Sequence, residues 1–316
     1  MSIFPTKILL ATDGSKEAEM AATTAINLAN NTNSELHILT VGSGYPSYDV
    51  RVPEVAEVLR QQAQRILDEQ ANKIDQTGGE IAQVHLRLAE HRPGFEHHPS
   101  DDVVGVAEEI GAGLIVLGSR GLGGVRRVLM GSVSDSVVRH AHCPVMVVRG
   151  ESPVFPMRIL LATDGSEDAK LASSTAADLA KSTNSELHVV CVEHTPAVFY
   201  ELPGTILDPA LQSRMEEGVE EATKAKLNEQ VQKIRDAGGE ITGVHARVGD
   251  PDTEIVGLAG RLSAGLIVVG SRGLGPLRRA LMGSVSDSVV RYAHCPVMVV
   301  RQQKERSARD EADFLT

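Results

Sequence analysis

The stretch LIVLGSRGLGGVRRVLMGSVSDSVVRHAHCPVMVV, residues 114–148, holds the pattern from which the fold can be read. An apolar run at 114–117 meets Gly118-Ser119-Arg120-Gly121; after nine intervening residues come Gly131 and Ser132, a helical segment at 133–139, and a second apolar run at 144–148. Strand, glycine loop, helix, strand is the grammar of an α/β sheet. Glycines let the backbone approach an anion closely, and a helix start offers unpaired N–H groups and the positive end of its dipole. The segment therefore predicts an anion site at a strand-to-helix corner, with Ser132 or Ser134 capping the helix or donating to a phosphate oxygen and Arg120 supplying charge.

The same stretch returns at 266–300, and of the 32 positions starting at Gly118 and Gly270 only four differ. KILLATDGS at 7–15 likewise returns as RILLATDGS at 158–166, and TNSELHIL at 32–39 as TNSELHVV at 183–190. The chain is a duplicated domain. The offset between copies is 151 at the first anchors, 160 at Gly-Gly-Glu-Ile (78–81 and 238–241) and 152 at the glycine loop. Copy two is thus nine residues longer before that tetrapeptide and copy one eight longer after it, as surface-loop insertions would make them. The boundaries expected are 1–150 and 157–302, with a charged tail at 303–316.

Within copy one, period and punctuation predict strands at 7–11, 36–41, 81–88, 114–117 and 144–148, alternating with helices at 16–30, 55–76, 102–110 and 133–139. Strands separated by helix-length segments imply a five-stranded parallel sheet covered on both faces, so each copy is expected to be a Rossmann-like, doubly wound α/β domain. In such sheets ligands sit beyond the carboxyl ends of strands, where the strand order reverses.

Composition narrows the function classes. The 316 residues carry a formal charge of −11, 3% aromatics and no Trp, which argues against a nucleic-acid partner. No run approaches a membrane span and the N-terminus lacks a signal-peptide layout, so a cytoplasmic protein with no membrane partner is expected. Cys143, Cys191 and Cys295 form no C-x-x-C spacing and read as buried packing residues, as do the pairs His142-Cys143 and His294-Cys295. Three histidines in the copy-one insertion, His91, His97 and His98, match no metal spacing and have no counterpart in copy two. No metal site is assigned.

Two common phosphate loops do not fit. A Walker loop needs Gly-Lys-Ser/Thr, absent here, and a dinucleotide fingerprint starting at Gly121 would need glycine where Arg126 and, in copy two, Arg278 stand. Arg126, Arg127, Arg278 and Arg279 read as a solvated face. The spacing Gly-x2-Gly-x9-Gly-Ser instead resembles that of the universal stress protein family, in its ATP-binding, tandem-domain form, over nearly the whole chain.

That resemblance implies ATP, with Mg²⁺ as an accompanying ion, across the carboxyl ends of the first and fourth strands of each copy. The implied binding residues of copy one are Ala11, Thr12 and Asp13 after the first strand, Val41 after the second, Gly118, Ser119, Arg120, Gly121, Leu122 and Gly123 in the loop, and Gly131, Ser132, Val133 and Ser134 at the helix start. Their equivalents in copy two are Ala162, Thr163, Asp164, Val192, Gly270, Ser271, Arg272, Gly273, Leu274, Gly275, Gly283, Ser284, Val285 and Ser286. The resemblance also implies pairing of the two domains through their last strands, with further homodimerisation as an option. From the residues alone, Asp13 and Asp164 also admit the simpler reading of helix caps, which need not exclude ligand contact.

The function expected is a nucleotide-dependent stress-response module without fast chemistry, since no positioned base or Mg²⁺-holding acid pair is identifiable near the loop. The alternatives are a slow ATP hydrolase, in which Asp13 and Asp164 orient water or metal, and a nucleotide-free scaffold acting through its sheet edges. Tyr45 and Tyr48 in one copy against Phe199 and Tyr200 in the other predict unequal sites.

Overall fold

The computed structural model describes residues 3–42, 53–88, 98–121, 130–150, 155, 157–194, 209–273 and 282–301. In the first half the elements are β1 (Lys7–Ala11), α1 (Lys16–Thr32), β2 (Glu35–Gly42), α2 (Pro53–Gln76), β3 (Ile81–Leu88), α3 (Pro99–Ile110), β4 (Leu114–Gly118), α4 (Ser132–His140) and β5 (Val145–Val148). The second half repeats them as β6 (Arg158–Ala162), α5 (Glu167–Thr183), β7 (Glu186–Glu193), α6 (Pro209–Asp236), β8 (Gly243–Val248), α7 (Pro251–Leu262), β9 (Leu266–Gly270), α8 (Ser284–Tyr292) and β10 (Val297–Val300). The expected α/β architecture is the one observed.

The strand order is β3-β2-β1-β4-β5-β10-β9-β6-β7-β8, one ten-stranded sheet. Every pairing within a half is parallel, and β5 meets β10 antiparallel with Val147 opposite Val297 and Met146 opposite Met298. The central strands β4, β5, β9 and β10 are buried at every position, as continuous apolar runs covered on both faces must be.

Strand alternation sorts the helices. Ile8, Leu10, Leu36 and Ile38 face α1 and α2, whereas Leu9, Leu39, Ile115 and Val147 face α3 and α4. Each of the two resulting core layers contains residues of both halves. Helix α1 buries Ala18, Ala21, Ala22, Ala25 and Ala29, and this small-residue stripe lets its axis lie close to the sheet. Ser15 caps its start and Asn33 ends it in the left-handed conformation, φ 53°.

Helix α6 has 28 residues against 24 for α2, which accounts for part of the nine-residue excess of the second half. The eight extra residues of the first half lie between β3 and α3, where the second half makes the step with Gly249 and Asp250 alone. Gly249 takes φ 153°, a conformation that suits glycine in so short a connection. The order β2-β1-β4-β5 places the reversal between β1 and β4, whose following helices leave to opposite faces of the sheet. That opens a crevice at their carboxyl ends. Among the described residues no helix is long and apolar enough to cross a membrane.

Candidate functional site

The crevice is built from two turns. After β1 the chain reverses through Thr12-Asp13-Gly14-Ser15: Gly14 N–H donates to Thr12 Oγ1 (3.3 Å) and Ser15 N–H to Asp13 Oδ1 (3.0 Å). Gly14 sits at φ 77°, which a side chain would strain. Ser15 then caps α1 by accepting from Ala18 N–H (3.2 Å), and its hydroxyl reaches Arg120 O at 3.4 Å. The cap of α1 is therefore Ser15, not Asp13. Asp164 and Ser166 repeat the arrangement, with Ser166 N–H to Asp164 Oδ1 at 3.0 Å and Ala169 N–H to Ser166 Oγ at 3.3 Å.

After β4 the second turn packs against the first. A Cβ on Gly118 would stand 2.8 Å from the carbonyl carbon of Glu17, and one on Gly121 would overlap Asp13 Oδ2. Both glycines are there because backbone and carboxylate occupy the space of a side chain. Ser119 N–H continues the sheet to Val148 O (2.8 Å), and Ser119 O takes the N–H of Gly131 (2.9 Å), which closes the loop at its base.

Helix α4 starts with Gly131 as N-cap and without a side-chain cap; its first internal bond runs from Asp135 N–H to Gly131 O at 2.9 Å. The amides of Ser132, Val133 and Ser134 are left without a partner among the described residues. Ser134 departs from the expectation that its hydroxyl faces a ligand. Its Oγ is buried and donates to Gly118 O (2.7 Å), fastening the helix to β4, and Ser286 does the same to Gly270 O at 2.6 Å. A carbonyl at the end of a buried strand needs a donor, and this hydroxyl is the one in reach. Ser132, by contrast, is exposed at the helix start.

Between the turns lies a cavity of about 860 Å³, within the usual range for small-molecule sites. Leu39, Val41, Ile66, Val103 and Leu117 line an apolar portion, and Thr12, Asp13, Arg120, Gly121 and Ser132 a polar one. Beside the polar portion, burial and the charge of Arg120 hold the Arg149 guanidinium below its ordinary pKa range. Arg120 beside three amides without a partner among the described residues makes the corner attractive to an anion.

In the second half Ala162, Thr163, Asp164, Val192, Gly270, Ser271, Arg272, Gly273, Gly283, Ser284 and Val285 hold the corresponding positions, and Gly283 N–H again closes the loop on Ser271 O at 2.8 Å. Leu122, Gly123, Leu274, Gly275, the arginines at 126, 127, 278 and 279, the aromatics Tyr45, Tyr48, Phe199 and Tyr200, and His91 and His97 lie outside the described residues. Leu59, Gln62, Ile66, Pro99 and Met130 also line the cavity, and none of them carries a local sequence signal for it. What puts the outer turns of α2 over the strand ends is the packing direction of that helix.

Residues 5–149 and 157–301 each match the model of the universal stress protein family. The chain belongs to that family. A universal stress protein of Mycobacterium bovis is 35% identical over 209 residues, 65% of this chain and 66% of that relative, so the match spans slightly under two thirds of its length. A putative universal stress protein of Staphylococcus aureus is 38% identical over 146 residues, 46% of this chain and 84% of the relative. The crystal structure of a universal stress protein from Archaeoglobus fulgidus shares the fold, with a TM-score of 0.67 at 24% identity over 96% of this chain and 99% of that one.

Proposed function

We propose that this universal stress protein is a nucleotide-responsive module that binds ATP beyond β1 and β4, with a second site of the same design beyond β6 and β9. The observation that carries this is the convergence, on one cavity, of three unpartnered helix-start amides and Arg120 at one end and an apolar lining at the other. The first end suits phosphates and the second an adenine ring. Mg²⁺ would ride on the phosphates, as that ion commonly does. Among the described residues no group of three or more His, Cys, Asp or Glu could hold a metal by itself.

A binding role is favoured over hydrolysis by what Asp13 does. Its Oδ1 accepts from Ser15 N–H and its Oδ2 abuts Gly121, so the carboxylate braces the two turns against each other. A ligand bound to the folded state alone shifts populations and raises stability by mass action. The test is mass spectrometry of the supernatant after denaturing the purified protein, followed by calorimetry with ATP. The expected result is a co-purified adenine nucleotide, and an affinity about tenfold weaker in Arg120→Ala, which loses a charge-assisted contact from an exposed position. A nucleotide-free protein whose melting does not respond to millimolar ATP would leave the scaffold reading in its place.

A further inference from the structure

One difference between the two anion corners is a single methylene. At the repeat position where the first half has Glu17, the second has Asp168. Asp168 lies in the first turn of α5, is buried, and its Oδ2 accepts a hydrogen bond from Ser271 Oγ at 2.6 Å while standing 3.6 Å from Arg272 Nε. Ser271 and Arg272 are the loop residues that correspond to Ser119 and Arg120. The carboxylate also acts on Arg301, the second-half counterpart of Arg149, and offsets part of what burial does to that guanidinium. An internal anion is therefore seated among the serine and the arginines of the second phosphate corner.

In the first half the longer Glu17 also lines the cavity, but among the described residues it makes no hydrogen bond or ion pair, so no carboxylate is bonded to Ser119 or Arg120 there as Asp168 is to Ser271. The contrast extends to the other end of the site. Ile66, which packs against Gly14, is replaced by Lys226, and Gly42 by Glu193; these two form an ion pair at 2.6 Å. Where the first half offers apolar surface and space, the second holds a part-buried charge pair.

We infer that Asp168 is a built-in competitor for the phosphates of the nucleotide, so that the two halves are unequal: a triphosphate fills the first site and meets a restrained second one. This rests on the ATP reading given above. A phosphate entering the second corner must share Arg272 with a buried carboxylate 3.6 Å from its Nε, and that fixed negative charge opposes a polyanion. The second site is then at least about tenfold weaker for ATP than the first.

Isothermal calorimetry of the full chain with Mg-ATP tests this, using wild type, Asp168→Asn, Glu17→Asp and Arg120→Ala, with melting curves as the check on folding. Wild type is expected to show one tight phase and one weaker by about tenfold or more. Asp168→Asn keeps the shape and removes the charge; it should tighten the weak phase and leave the tight one unchanged. Glu17→Asp installs the shorter acid in the first half and should weaken the tight phase, which gives a reading even if the Asp168 variant folds poorly. Arg120→Ala assigns the tight phase to the first half by weakening it. Two equal phases in wild type, or a weak phase indifferent to Asp168→Asn, would overturn the inference while leaving ATP binding intact. No heat from any form would instead overturn the ATP reading itself.

Discussion

Gly118→Ala tests the construction of the corner directly. The added Cβ would lie 2.8 Å from the carbonyl carbon and 3.0 Å from the carbonyl oxygen of Glu17, closer than such contacts occur, and the obstacle is helix backbone that no rotamer change can move. Relief requires α1 to shift away from β4, and overpacking of this kind costs about 1–3 kcal/mol. Gly131, from the same motif, is the internal control. Its Cβ would meet Arg120 Cα at 3.5 Å and Ser119 O at 3.6 Å, ordinary contacts, and its φ of −63° suits any residue. Gly131→Ala should then cost only the difference between glycine and alanine at an N-cap, about 1 kcal/mol or less. Denaturant unfolding of the two variants beside wild type reads the difference, and a loss of 2 kcal/mol corresponds to roughly 4–8 °C in melting temperature for domains of this size. Gly270→Ala should repeat the larger effect, since its Cβ would stand 2.8 Å from Ala169 N. The reasoning is refuted if Gly118→Ala is as stable as wild type, or if Gly131→Ala is the more damaging of the two.

Three further outcomes are expected. Arg301 reaches across the sheet seam to the carbonyls of Val138, Arg139 and Ala141 (3.2 Å to Arg139 and 2.7 Å to Ala141), whereas Arg149 makes two such bonds, to Arg291 O and Ala293 O at 2.7 and 3.2 Å. Arg301→Met should therefore destabilise by about 2–4 kcal/mol and Arg149→Met by less, measured by urea unfolding; the opposite order would contradict the bond count. His85 and His245, stacked on and bonded to His37 and His188 at 3.2 and 3.1 Å, have their pKa values lowered mainly by burial and then by the neighbouring imidazole. The unfolded chain thus takes up those protons more readily, so their contribution to stability is present above about pH 6.5 and is lost as pH falls from there toward the lower folded-state values. His85→Gln with His245→Gln should flatten the loss between pH 7.5 and 5.5, and an unchanged slope would count against it. Timed conversion of ATP to ADP by purified protein should stay below about one turnover per second; a faster rate that Asp13→Ala with Asp164→Ala abolishes would restore the hydrolase alternative.

Most element boundaries were legible because they are set by near neighbours. The run at 81–88 is β3 to the residue, and α1 starts at Lys16 as its punctuation implies. That Ser15 rather than Asp13 caps α1 is not legible in Asp-Gly-Ser, since either side chain can cap a helix and only the folded turn directs the aspartate Oδ1 to the serine amide. The anion corner was legible as glycine spacing. The direction of the Ser134 hydroxyl was not, since it depends on Gly118 O, sixteen residues away, ending a strand just where the helix begins.

What the sequence determined by itself is the duplication, the alternation of strands and helices, and the glycine loops, since each is a pattern written over a few consecutive turns or repeated outright. What the tertiary structure decided are contacts between residues far apart in the chain. Arg139 pairs with Asp287 at 2.5 Å and Arg291 with Asp135 at 2.8 Å, across the seam where β5 meets β10, and neither pair has a local signature. The inequality of the two corners belongs there too. Aspartate for glutamate reads as conservative in a sequence, but the carboxylate of Asp168 lodges against the Ser271 hydroxyl while that of Glu17, one methylene longer, makes no such bond to Ser119, because hydrogen-bond reach is set in tenths of an ångström.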